Sequence, residues 1–141
     1  MRSLGLDIGD KRIGVALSDP GGILASPFTV IDRRDESRDI EAIIDIIRRQ
    51  GVERVIVGLP FSMDGSLGKQ AEKVKAFTQE LCEQTQVPVE YRDERLTTVM
   101  AERLSQAAGN KRGGKKARHD AQAAALILQG YLDEGRELGL P

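Results

Sequence analysis

The pattern of apolar and polar positions changes its period several times along the chain, and each change predicts a change of element. Residues 2 to 8, 12 to 18 and 22 to 31 are extended runs separated by GDK and DPGG, and connections this short predict antiparallel neighbours. From residue 35 the spacing becomes helical. Ile40, Ile43, Ile44 and Ile47 follow Asp35 and Glu36 and precede Arg48, Arg49 and Gly51, an order of acids, bases and glycine that suits a helix dipole and its ends. RVIVG at 54 to 58 is an uninterrupted apolar run of the kind covered on both faces of a sheet. A second helical stretch, 67 to 85, places Ala71, Val74, Phe77 and Leu81 on one side, and VPVEYRDE at 87 to 94 predicts a fifth strand. A third helix is predicted over 97 to 108, a Gly, Lys and Arg loop over 109 to 117, and a last helix over 119 to 133.

Three strands, then helix, strand, helix, strand and two helices, predict an α/β fold. The sheet should be mixed and five-stranded, an antiparallel meander followed by βα units, with helices packed on it. No repeat or linker divides the 141 residues, so one domain is expected over 1 to 135, with a short frayed tail at 136 to 141.

Composition narrows the class. With 40% hydrophobic and 30% charged residues and no apolar run near the ~20 needed to cross a bilayer, the chain reads as a soluble protein without a membrane role. MRSLGLDIG at the start lacks the long apolar region of a secretory signal. Cys82 is the sole cysteine, which excludes an intrachain disulfide or a cysteine metal cluster; it is expected to be a small buried hydrophobe, in keeping with a cytoplasmic location. A net charge of −1 argues against coating nucleic acid by bulk positive charge. Charge is nonetheless uneven, because Lys111, Arg112, Lys115, Lys116 and Arg118 concentrate cations among glycines, either as a solvated loop or as a handle for a polyanion.

Three acids are candidates for chemistry. Asp7 stands where the first strand gives way to a turn, and Asp10 beside it reads as a turn former. Glu94 ends the fifth strand, so parallel first and fifth strands would put both acids on the sheet edge where open α/β folds bind ligands. Asp93 takes that place if the register is off by one. Asp120 shares a helical face with Ala124, Ile127, Leu128 and Tyr131; it either meets a cation on that buried face or caps the helix amino end. The alanines at 121, 123, 124 and 125 allow close approach to the sheet. Three carboxylates without a Cys/His cluster suit a hard cation, Mg²⁺ or Mn²⁺. His119 is the only histidine, which excludes multi-histidine zinc hydrolysis and leaves it incidental or an aid to proton transfer.

LDIGDKRIGVALSD at 6 to 19, VGLPFSMDGSLGKQA at 57 to 71, YRDERLTTVMAERL at 91 to 104 and DAQAAALILQGYLD at 120 to 133 resemble, in order and spacing, the YqgF family of ribonuclease-H-like proteins. The resemblance implies a ribonuclease-H-like fold with the first strand central, and Asp7, Glu94 and Asp120 as the acidic triad. It implies a nuclease that uses two divalent ions, one activating water and one stabilising the leaving 3′ oxygen. Lys11, Arg12, Arg95 and the 111 to 118 segment would then bind phosphates, with Thr97 and Thr98 donating to them from a helix start. The implied substrate is nucleic acid, pre-16S ribosomal RNA above all, with ribosomal particles as a further partner; the alternatives are a Holliday-junction resolvase acting on DNA and a non-catalytic RNA-binding assembly factor. With 4% aromatic residues, stacking readout of bases should be weak. His119 departs from the aliphatic residue associated with that place. Residues 58 to 66, GLPFSMDGS, read as a shaped loop lining the cleft. DIGDKRIGV also loosely fits the phosphate loop of actin-like sugar kinases, but no second copy and no GK[ST] element accompanies it.

Overall fold

A computed structural model describes the backbone of residues 1–60, 68–94 and 113–137, and the side chains of these residues except 113–119 and 136–137. Five strands, β1 (Ser3–Ile8), β2 (Arg12–Ser18), β3 (Ala25–Asp32), β4 (Arg54–Leu59) and β5 (Val89–Asp93), and three helices, α1 (Glu36–Gln50), α2 (Lys69–Gln84) and α3 (Gly113–Glu137), occur in these residues. The sheet order is β3-β2-β1-β4-β5. β2 pairs antiparallel with β1 and β3, whereas β4 pairs parallel with β1 and β5. β1 is therefore central, and β1, β4 and β5 end at the same edge.

The two faces of β1 have different chemistry because side chains alternate. Leu4, Leu6 and Ile8 join Ile13, Val15, Val55, Val57 and the apolar stripes of α1 and α2 in one core. Gly5 and Asp7 look the other way, towards the second core, where Ala124, Ile127 and Leu128 of α3 meet Ala16 and Ile56. The long helix covers β1, β2 and β3 more than β4.

Local chemistry sets the element ends. Asp35 caps α1, its side chain accepting from the Arg38 amide at 2.9 Å, and Gly51 closes it in the left-handed region. The third strand was expected from residue 22, but it begins at Ala25, because the Asp19 carboxylate accepts the amides of Ile23 (2.7 Å) and Leu24 (2.9 Å) and folds 19–24 into a turn. Those amides hold the Asp19 carboxyl below its ordinary value, Leu24 contributing most.

Three further expectations change. The sequence predicts a loop over 109–117, yet residues 113–117 open α3, for Lys115, Lys116, Ala117 and Arg118 are good helix formers. Residues 136–137 were assigned to a frayed tail and instead complete that helix. Cys82 was expected to be buried and is exposed; the stripe of α2 that faces the core runs through Ala71, Val74, Phe77, Thr78 and Leu81, and Cys82 lies one step beyond it. The helix predicted over 97–108, most of loop 58–66, and residues 109–112 lie outside the described residues. Among the described residues, no helix is long and apolar enough to cross a membrane.

The far end of α3 is anchored to the sheet by polar contacts. The Tyr131 hydroxyl donates to Glu90 Oε2 at 2.9 Å, and Arg54 pairs with the same oxygen at 3.3 Å. Burial pushes the Tyr131 phenol up from its ordinary value, and Glu90 adds to the rise.

Candidate active site

Three neighbouring strands place one row of residues beneath α3. Asp7 stands opposite Gly14 in the β1/β2 ladder, and the β1/β4 register, with Leu6 beside Val57, continues one step to put Asp7 beside Gly58. Strands lie ~4.8 Å apart and neighbours across them face the same way. Only the middle member of the row Gly14, Asp7, Gly58 has a side chain.

The other two acids lie above the glycines. A Cβ at Gly14 would sit 1.9 Å from the Asp120 carbonyl oxygen, and one at Gly58 would sit 2.9 Å from Glu94 Oε1. Strand glycines thus form the floor on which α3 and the Glu94 side chain rest. Gly5 extends the floor, since a Cβ there would meet Leu128 Cβ at 2.8 Å and the Ala124 carbonyl at 2.9 Å. Asp7, Glu94 and Asp120 therefore share one face at the carboxyl edge of β1, β4 and β5. Asp93, the alternative to Glu94, is in register with Leu59, which belongs to the opposite core.

Burial differs among the three. Glu94 is 1% exposed and Asp7 6%, whereas the Asp120 side chain is 32% exposed. Asp120 does not cap its helix, because α3 begins seven residues earlier, at Gly113. Its Oδ2 accepts from Arg12 Nε at 2.8 Å. The expected phosphate ligand Arg12 is thus engaged by a carboxylate. As the side chains stand, no three His, Cys, Asp or Glu among the described residues are gathered to hold a metal ion. The donor set is still the hard-oxygen type that Mg²⁺ or Mn²⁺ takes, on a floor that leaves room above Gly14 and Gly58 for nothing bulkier than hydrogen.

The turn carrying Lys11 and Arg12 is braced from behind. Arg33 Nη1 donates to the Gly9 carbonyl at 3.0 Å, and Arg33 Nε pairs with the buried Asp39 carboxylate at 3.2 Å. The Asp39 Oδ1 also accepts from the Arg34 amide, and the guanidinium lies 4.9 Å from the Phe77 ring centre. The Gly9 amide closes the turn on the Arg12 carbonyl at 2.9 Å. Arg33→Gln removes the cation that satisfies a buried carboxylate, so it should destabilise the protein by about 2 kcal/mol, checked by denaturant unfolding.

Two features were not singled out from sequence. Arg92, beside Gly58 on β5, is buried; it pairs with Glu134 of α3 and fits only because residue 130 is glycine, where a Cβ would lie 2.7 Å from Nη2. Its Nε has no hydrogen-bond partner, so the cation is held there at a desolvation cost. The glycine floor is the second, and its signal was available, as glycines inside the apolar runs RIGV and RVIVG.

The remaining expected ligands are placed in part. Lys11 is exposed on the turn beside Arg12, and Lys115, Lys116, Arg118 and His119 belong to the first two turns of α3. Arg95, Thr97, Thr98, Lys111 and Arg112 lie outside the described residues.

Comparison with known proteins places the chain. The family model described as "RuvX: Holliday junction resolvase" matches residues 1–134. A relative in Desulforamulus reducens is 48% identical over 96% of this chain and 98% of its own, and one in Moorella thermoacetica is 50% identical over 94% and 95%; each is named "Putative pre-16S rRNA nuclease". Among solved structures, Thermus thermophilus RuvC in complex with a Holliday junction substrate has a TM-score of 0.61 at 16% identity, covering 99% of this chain and 97% of that one. The yeast mitochondrial resolvase Ydc2 has a TM-score of 0.59 at 11% identity, covering 97% and 80%. These two likenesses establish the ribonuclease-H-like fold. The match along almost the whole length, at nearly half identity to relatives of similar size, means that the chain belongs to the RuvX/YqgF family.

Proposed function

We propose that this protein is a metal-dependent nuclease that processes the 5′ end of pre-16S ribosomal RNA, with Asp7, Glu94 and Asp120 as its catalytic acids. That it hydrolyses phosphodiester bonds follows from its family. The observation that carries the site assignment is the row Gly14, Asp7, Gly58, which sets Asp7 between the backbone of Asp120 and the carboxylate of Glu94 on one face. The choice of RNA rests on the names of the relatives at nearly half identity over nearly their whole length.

Asp7 lies in β1 and Glu94 directly follows β5, and both are shielded from water, so their carboxylates are pre-set for a cation. Asp120 completes the donor set from the helix. A pair of Mg²⁺ or Mn²⁺ ions, when bound, supplies activation of the attacking water and charge stabilisation at the leaving 3′ oxygen. Lys11, Arg12, Arg95 and the cations of 111 to 118 bind the phosphates on either side, and Thr97 and Thr98 donate hydrogen bonds to them. Such contacts orient a backbone without reading bases, so the shape of the RNA or a ribosomal particle supplies selectivity.

The description of the family model favours a second substrate, the four-way DNA junction. Cleavage of a pre-16S 5′ fragment and of a synthetic junction, each with Mg²⁺ or Mn²⁺, separates the two. Cutting of the RNA is the expected result; cutting of the junction alone makes the protein a resolvase, and binding of RNA without cutting under any metal makes it an assembly factor.

A further inference from the structure

Arg12 and Asp120 are both assigned to the work of the site, yet in this structure each occupies the other. The pair is a close one, Nε to Oδ2 at 2.8 Å, and the side chains are 27% and 32% exposed, so the guanidinium remains within reach of a ligand from solvent. The backbone on both sides is fixed. Arg12 leads β2 from a turn that Arg33 braces, and Asp120 lies against Gly14 with no room to shift inwards. Only the side chains are free to exchange partners. With Oδ2 of Asp120 drawn to Arg12, no three acids among the described residues are gathered for a metal ion, whereas a phosphate, with its doubly accepting oxygen edge, matches a guanidinium at least as well as a carboxylate does.

We propose that Arg12 is a positioning residue that couples phosphate binding to assembly of the metal site. In the free protein it holds Asp120 away from Asp7 and Glu94. A backbone phosphate of the nucleic acid takes the guanidinium, and the released Asp120 turns to the divalent cation that the other two acids hold. Coupling of this kind is reciprocal: whatever tightens the one binding event tightens the other by the same factor. The inference rests on the three-acid reading above, and its test separates the two.

The test is Mn²⁺ binding to the full chain without nucleic acid, by calorimetry, for wild type, Arg12→Gln, Lys11→Gln and the double variant Arg12→Gln/Asp120→Asn. Arg12→Gln should bind Mn²⁺ about fivefold or more tightly than wild type, the lower end of ordinary coupling. Lys11→Gln removes the same charge from the same turn and should change affinity by less than about twofold, as exposed, screened charges do. In the Arg12→Gln background, where Asp120 is released, adding Asp120→Asn should weaken binding about tenfold. If Arg12→Gln behaves like Lys11→Gln or like wild type while the double variant is weakened, the coupling role is overturned and the metal site stands. If the double variant binds as Arg12→Gln does, the three-acid reading itself falls. Arg12→Met, which keeps the aliphatic stem on β2, repeats the measurement should Arg12→Gln melt below the working temperature.

Discussion

Asp7→Asn should abolish cleavage while leaving folding and nucleic-acid binding in place. The substitution keeps the shape of a side chain that is 6% exposed and removes its charge, so it takes away a proposed metal ligand without opening a cavity. Cation-mediated stabilisation at the reacting phosphate is worth several kcal/mol, and each 1.36 kcal/mol is tenfold in rate, so the loss should be on the order of 10³-fold. Affinity for the uncut RNA should be unchanged or higher, since one negative charge has left the cleft. Single-turnover cleavage and filter binding on the same preparation check both halves. Cleavage at the wild-type rate would remove Asp7 from the mechanism.

Gly14→Ala should be the most damaging single methyl group in the described part of the protein. The added carbon would lie 1.9 Å from the Asp120 carbonyl oxygen and 2.4 Å from its carbonyl carbon. Those atoms are helix backbone and cannot turn aside as the end of a side chain can. α3 must lift from the sheet, which also loosens Ala124 and Leu128 over Gly5 and moves Asp120 away from Asp7. Overpacking of this severity costs about 3 kcal/mol, or a fall of roughly 10 °C in Tm, by thermal unfolding. Cleavage should fall as well, even at temperatures where the variant is folded. A Tm within a degree or two of wild type would mean that α3 does not rest on β2 as described.

The close approach of α3 shows how a reading from one element alone falls short. The alanines at 121, 123, 124 and 125 announce a helix that packs closely, and in the structure the first three are buried and Ala125 is partly buried. The partner surface was not recognised, because the sheet's contribution is the absence of side chains at Gly5, Gly14 and Gly58, in strands that look merely apolar. The same limit applies to Arg92. A cation in a strand reads as an exposed residue, and only its place over Gly130 and beside Glu134 makes it buried.

The meander, the alternation of the later elements and the ends of α1 were legible from the chain, since they depend on spacing over a few residues and on the preferences of Asp, Gly and the β-branched side chains. So was the position of Asp7, at the end of a strand whose other face is apolar. Three matters belonged to tertiary structure. Sheet order and direction put Glu94 on the Asp7 face and Asp93 on the other, a choice that a single residue of register reverses. The start of α3 at Gly113 denied Asp120 the role of a cap, because a run of lysines continues a helix as readily as it ends a loop. The pairing of Arg12 with Asp120 joins residues far apart in the chain, and no local pattern encodes it. Sequence by itself singled out the candidate groups. Which of them face one another, and whether a carboxylate meets a metal or a guanidinium, depended on long-range packing that a local pattern does not contain.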